Sequence, residues 1–415
     1  MQGIDAAERR ARLARRHRLA PDHRAGHLVE AAGSMVCLHG TDPATVYLSA
    51  WARVEGMALS DMDRALYVDR SLVKHLAMRR TLFVFPRATL GVAQAGASSR
   101  VAEAERRRLI RDVEKAGLHR DCERWLAEAS AEVLAALSDG REATSSELRD
   151  EIPLLQGSML YGEGKSWGGQ VPVGPRVLTT LSAAGHLVRA SNDGGWTISR
   201  PRWALMRSWL GEEIAPPSEA EGVAGLVERW LSAFGPGTEA DIKWWLGSTI
   251  KAVRTALADL DAVEVDLDGQ TGYLLPDDLE PTDPVEPWAA LLPPLDPTTM
   301  GWFKRDWYLG PYRTQLFDTS GNAGPTVWWD GRIVGGWRQR DTGEVDLQML
   351  EDVGADGQDA IELEAARLTA WLGGTRALPR FPSPLRPAVR SQASCRRPLG
   401  RGRGQQLVAG GQLDP

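Results

Sequence analysis

Two stretches of this 415-residue chain run through the same order of local signals. That repeat limits what the chain can fold into more than any other feature. In the first, residues 123–138 carry apolar residues at helical spacing. Thr144 then stands three residues before Glu147, the spacing of a capping box at a helix start. A third helix is predicted over 175–185, opened by Pro175 and closed by Gly185. The segments HLVRA and WTIS, joined by SNDGG, predict a hairpin. In the second stretch a helix is predicted over 219–233, Thr238 and Asp241 form the next capping box, and a third helix covers 249–260. VEVDL and YLLP then flank the turn sequence DGQTG. Helix, capped helix, helix and hairpin in that order predict a winged helix, most often a device for gripping duplex nucleic acid.

The flanking regions follow less regular rules. Residues 1–90 read as a first, divergent unit, with helices near 5–18, 26–37, 43–54, 61–67 and 71–78, then a strand TLFVFP without an obvious partner. Prolines at 281, 284, 287, 293, 294 and 297 end the helical pattern. TVWW-DG-RIVGGW predicts a tight hairpin, because Asp-Gly suits a two-residue turn between β-rich runs. With AALLPPL before it and EVDLQML after it, a small β-barrel-like domain is expected, closed by a helix over 358–372 that ends at Gly373. The expected architecture is therefore α+β and mainly helical. Tandem winged-helix units occupy 1–90, 91–205 and 206–280, a β-rich domain 281–385, and an aperiodic tail, expected to be disordered, 386–415.

Charge and cysteine content narrow the function. A net charge of −6 is not the footprint of a protein that coats DNA indiscriminately, so any affinity must come from local patches. Arg9, Arg10, Arg12, Arg15, Arg16, Arg18 and Arg24 make one cluster, and Arg100, Arg106, Arg107, Arg108 and Arg111 another. Cys37, Cys122 and Cys395 are odd in number and far apart, which argues against a disulfide framework or a cysteine zinc site. No cofactor and no metal site is expected. No apolar run is long enough to span a bilayer, and the N-terminus lacks a secretory h-region, so a reduced cytoplasmic location is expected.

The most unusual local sequence is LHGTDPATVYLSAWARV. Asp42 before Pro43 is a strong helix entry, with Asp as cap and Pro at the first helical position. His39, Gly40 and Thr41 therefore lie in a turn at a helix N-terminus, where His39 and Thr41 can point to one side. Here the chain resembles the AlkZ-like winged-helix DNA glycosylases, whose motif has a glutamine, an apolar residue, a glutamine and then Asp-Pro. His39, Gly40 and Thr41 stand at those positions, followed by Trp51-Ala52-Arg53. The resemblance continues through Arg79-Arg80-Thr81-Leu82, LLPPLDPTTMGW, GPTVWWDGRIVGGW and WLGGTRALPRFPSPL.

The resemblance implies hydrolysis of the N-glycosidic bond of bulky N-alkylated purines, with His39 and Thr41 orienting the attacking water in place of two carboxamides. It implies double-stranded DNA as partner and a monomer. Candidate DNA contacts are Arg12, Arg15 and Arg16, then Arg53, Arg79 and Arg80, Lys165 in a glycine-rich loop, and Arg176 on a third helix. Two other readings stay open: a non-catalytic DNA-binding protein or transcriptional regulator, and an interaction module without nucleic acid. Few base-reading side chains lie on the third helices, which weighs against a sequence reader.

Overall fold

The computed structural model describes residues 1–161 and 169–385. The expected tail and Lys165 lie outside the described residues. In the second repeat, helix Glu219–Phe234 is followed by helix Glu239–Leu246, capped by Thr238 and Asp241 as a full capping box, then by helix Ile250–Asp259 and the paired strands Val263–Leu267 and Gln270–Leu274. In the first, helix Cys122–Ala136 precedes helix Ser145–Glu151, whose box is Thr144 with Glu147, and helix Gly174–Ala183 follows. Four-residue Ser158–Tyr161 pairs with Gly169–Pro172 between those last two helices.

Three expectations are corrected. WTIS is not a strand: Leu187–Asn192 pairs instead with Pro201–Leu205, and Ala143–Thr144 lies on the other edge. The apolar Trp196 is spent elsewhere, its ring 5.6 Å from Tyr47 and 5.7 Å from Trp371. Residues 71–78 do not form a helix. Leu72–Ala77 is a strand, the missing partner of Thr81–Pro86, with Leu38–His39 on the far edge. It is buried on both faces, so its apolar residues do not alternate and imitate a helical run. Finally, the strands beyond residue 284 form no closed barrel. Ala289–Leu292, Thr326–Trp329, Arg332–Gln339 and Val345–Met349 make an open antiparallel sheet in that order. Its hairpin turns at Asp330 and Gly331, both with positive φ (45° and 76°), as a two-residue turn requires. Helix Gly354–Leu372 packs across the sheet and ends at Gly373 in the left-handed conformation.

Two large apolar cores hold these parts. Trp125, Val133, Leu148, Leu178, Leu187 and Trp203 belong to a core within residues 109–205. A larger one runs through the N-terminal helices, helix Glu219–Phe234 and the open sheet. Helix Glu219–Phe234 meets the segment Leu90–Ser98 at a glycine pair: a Cβ on Gly96 would lie 2.4 Å from the Gly222 carbonyl oxygen. Only glycine permits that approach.

Several arginines expected at DNA are instead internal ties. Arg12, 1% exposed, binds Glu8 and Asp278 and donates to the carbonyl of Glu280. Arg16 shares Asp278 and donates to the Gly235 carbonyl. Arg53 is fully buried. It makes two hydrogen bonds to the Asp296 carboxylate, at 2.7 and 2.9 Å, one to Thr298 Oγ1 and one to the Ser49 carbonyl. Ser49 Oγ donates to the same carboxylate. Thr298 also binds the buried His17, whose other nitrogen faces the Ala233 carbonyl. Because a carbonyl only accepts, His17 carries its hydrogen on Nε2, and Nδ1 accepts from Thr298. The expectation that Arg53 meets phosphate is corrected, because its guanidinium has no path to solvent. Removing one member of such a pair leaves a buried uncompensated charge. Arg53→Met is expected to cost about 3–5 kcal/mol in urea unfolding. The double variant Arg53→Met/Asp296→Leu is expected to recover a large part of that loss.

Candidate active site beside His39

The turn His39–Thr41 is fixed from both sides. Leu38 and His39 pair with Val84 and Phe83, and the Gly40 amide donates to the Leu82 carbonyl at 2.8 Å. A Cβ on Gly40 would sit 3.3 Å from that carbonyl. The glycine thus admits the close approach of the neighbouring strand. On the other side Asp42 caps helix Pro43–Trp51 through the Ala44 amide and also accepts from the Arg380 amide at 2.8 Å. Asp42 is a structural cap, as its spacing predicts.

His39 is 7% exposed. Its ring stands edge-on to Phe83 at 5.4 Å, and Nδ1 accepts weakly from the Thr41 amide at 3.4 Å. With Nδ1 accepting, the neutral ring carries its hydrogen on Nε2. Burial first, and then the charge of Arg79, push the His39 pKa down to about 3, with Asp296 opposing. His39 is therefore neutral at physiological pH and offers a donor rather than a charge.

His39 lines a cavity of about 250 Å³ with Arg79, Trp244, Arg305, Arg313 and Asn322. Arg79 lies 3.9 Å from the Trp244 ring centroid and Arg305 4.8 Å from it. Arg305 and Arg313 also approach the Phe317 ring, at 4.9 and 5.7 Å. Arg79 and Arg80 form the turn between the strands Leu72–Ala77 and Thr81–Pro86, with positive φ of 53° and 60°. Such angles strain residues with a Cβ and cluster at functional sites.

Of the remaining candidates, Arg80 pairs with Glu105 at 2.8 Å and Arg15 reaches Asp283 at 3.7 Å. Arg176 is held by Asp112 with its side chain 12% exposed. The structure thus brings only Arg79 to His39. Sequence reasoning missed Trp244, Arg305 and Arg313. Their signal was weak, since Trp244 reads as core by helical spacing and the two arginines sit in an irregular proline-flanked segment. It also missed the group behind the turn, where Lys74 Nζ donates to Tyr67 at 2.6 Å and Tyr47 donates to Asp63 at 2.6 Å. Burial brings Lys74 down to about 8. Among the described residues no group of His, Cys, Asp or Glu is placed to hold a metal ion, and no helix is long and apolar enough to cross a membrane.

The class of protein follows from comparison with known families. The family model described as DNA glycosylase AlkZ-like matches residues 32–371, and the chain belongs to that family of DNA glycosylases. Streptomyces sahachiroi DNA glycosylase AlkZ has a similar fold, with a TM-score of 0.71 at 23% identity over 91% of this chain and 99% of that one. No curated protein matches the chain.

The buried histidines give a stability signature. His75 is fully buried beside Gln94, without a well-formed hydrogen bond to either ring nitrogen, and burial holds it at about 4. His75 and His39 stay neutral in the fold, whereas an unfolded histidine takes up a proton near pH 6.5. The unfolded chain therefore binds more protons below pH 6.5, and stability falls as the pH drops. The melting temperature is expected to decline between pH 6.5 and 5, above the carboxylate range, and less so in His75→Leu. A flat profile in the native chain would overturn this account.

Proposed function

We propose that the protein hydrolyses the N-glycosidic bond of bulky N-alkylated purines in duplex DNA, with the attacking water held between His39 and Thr41. The observation that carries this reading is the neutral His39 at the wall of an arginine-lined cavity, in the turn where the family motif falls. An N7-alkylated purine already bears a positive charge. As the C1′–N9 bond breaks, its electron pair neutralises the departing base, so no acid is needed to protonate it. Water adds to C1′ and releases its proton to solvent, leaving an abasic sugar and the neutral base. His39 Nε2–H donates to the water oxygen, and the Thr41 hydroxyl supplies a second hydrogen bond. Both groups position water and neither carries charge. The two helix–helix–helix–hairpin repeats are read as winged helices that frame the DNA, with Arg15, Arg79 and Arg80 at the phosphates and Arg12, Arg16 and Arg53 bracing the frame.

The alternative of a non-catalytic regulator is less well supported. The arginines on the candidate reading helices are already committed, Arg176 to Asp112 and Arg254 to Glu239. Duplex carrying an N7-alkylguanine is expected to accumulate abasic sites with the native protein. Tight binding without release would favour the regulator instead. His39→Ala is expected to slow release by about 100-fold or more, and Thr41→Val by about 10-fold. Because His39 is neutral throughout, the rate is expected to be flat from pH 5 to 8. An inflection near 6.5 would mean that a histidine with an ordinary pKa controls the reaction.

A further inference from the structure

Arg305 has no part in holding the water and is buried without a close anion. It is 4% exposed, and its Nε donates to the Trp302 carbonyl at 2.6 Å. Burial lowers its pKa, and Arg313 adds repulsion. Yet none of Arg79, Arg305 and Arg313 has a carboxylate within ion-pair distance among the described residues. Asp241, whose field reaches Arg305, is occupied by the amides of Phe303 and Lys304 and by Thr238. The two other arginines that are as fully closed off from solvent are paired closely, Arg12 with Asp278 and Arg53 with Asp296. A buried guanidinium without an anion is costly, and aromatic faces offset only part of that cost.

Two occupants can be weighed for the cavity: the lesion base or a backbone phosphate. Charge separates them. An N7-alkylated purine is a cation, and the sugar gains positive charge as the bond breaks. Each guanidinium would repel such a cation, and more strongly in a partly desolvated cavity than in bulk water. The same three groups attract a phosphodiester, and a guanidinium fork matches its two free oxygens.

We propose that the cavity beside His39 is the seat of a DNA phosphodiester flanking the lesion, with Arg305 as the buried contact and Arg79 and Arg313 at its mouth. The proposal rests on the glycosylase reading for the orientation of the DNA, since a phosphate held there brings its neighbouring sugar toward His39 and Thr41. The cationic base is then directed away from the arginines. Arg305 is a positioning residue in this scheme, acting on the substrate backbone and not on the reacting bond.

The test is a salt titration of binding to a duplex bearing a tetrahydrofuran abasic-site analogue, which requires no base release. The slope of log K against log salt concentration is expected to fall by about 1 in Arg305→Met and in Arg79→Gln, and to stay near the native value in Arg305→Lys. Replacing one flanking phosphodiester at a time with a neutral methylphosphonate is expected to weaken native binding at a single position. Arg305→Met is expected to lose sensitivity at that position and no other. Arg79→Gln is solvent-exposed and keeps the test valid if Arg305→Met fails to fold. Unchanged slopes together with uniform methylphosphonate effects would overturn the phosphate seat. That outcome is distinct from failure of the glycosylase reading, which would show as absent base release with the slope changes intact.

Discussion

The pairing of Arg53 with Asp296 is the constraint on which the rest of the site depends. It joins the end of helix Pro43–Trp51 to a segment nearly 250 residues later in the chain, and both partners are sealed from water. Ser49, Thr298 and His17 extend the hydrogen bonding around both charges, and of the guanidinium nitrogens the Arg53 Nε alone lacks a partner. A buried pair with this many shared partners favours one arrangement, because any slip would strand a charge in a low-dielectric interior. The His39 turn begins at the opposite end of that helix, and Arg305 lies a few residues beyond Asp296. The helix that carries the His39 turn and the segment that leads to Arg305 are therefore tied together by one buried ion pair.

Much of the scaffold was legible because it obeys local rules. The two capping boxes, the Asp42-Pro43 helix entry and the Asp330-Gly331 hairpin each rest on neighbours within four residues. Where the reading failed, the deciding contact was distant. Leu72–Ala77 looked helical because both of its faces are buried, a fact set by packing rather than by its own sequence. WTIS looked like a strand because Trp196 and Ile198 alternate with polar residues, but Trp196 is drawn to Tyr47 and Trp371. The site divided in the same way. His39 and Thr41 were visible as a motif, and Arg79 through its neighbours in the resembling segment. Arg305 and Arg313 were not, because an arginine in a loop carries no mark of whether it meets a carboxylate.

That distinction explains how an acidic protein can serve an anionic polymer. Dense arginine in the sequence was a poor guide to available charge. In the N-terminal cluster Arg12, Arg16 and Arg24 are consumed by Glu8, Asp278, Glu55 and Glu364, so the cluster is largely a brace. Beside His39, by contrast, three arginines without a close carboxylate gather around aromatic rings. Net charge thus describes the solubility of such a chain, and the local balance of pairing describes its recognition.

The facing glycines 96 and 222 carry a different lesson, about how such a molecule can change over time. Each already has the smallest possible side chain, so neither can shrink to accommodate growth in the other. Compensation by a second substitution, the usual escape for a crowded core, is closed at this seam. The spacing between helix Glu219–Phe234 and the segment beneath it can only drift as a whole, by the two backbones moving apart together. A lineage that altered this contact would have to renegotiate an entire interface at once, which makes the seam a fixed reference against which loops and surfaces remain free to vary.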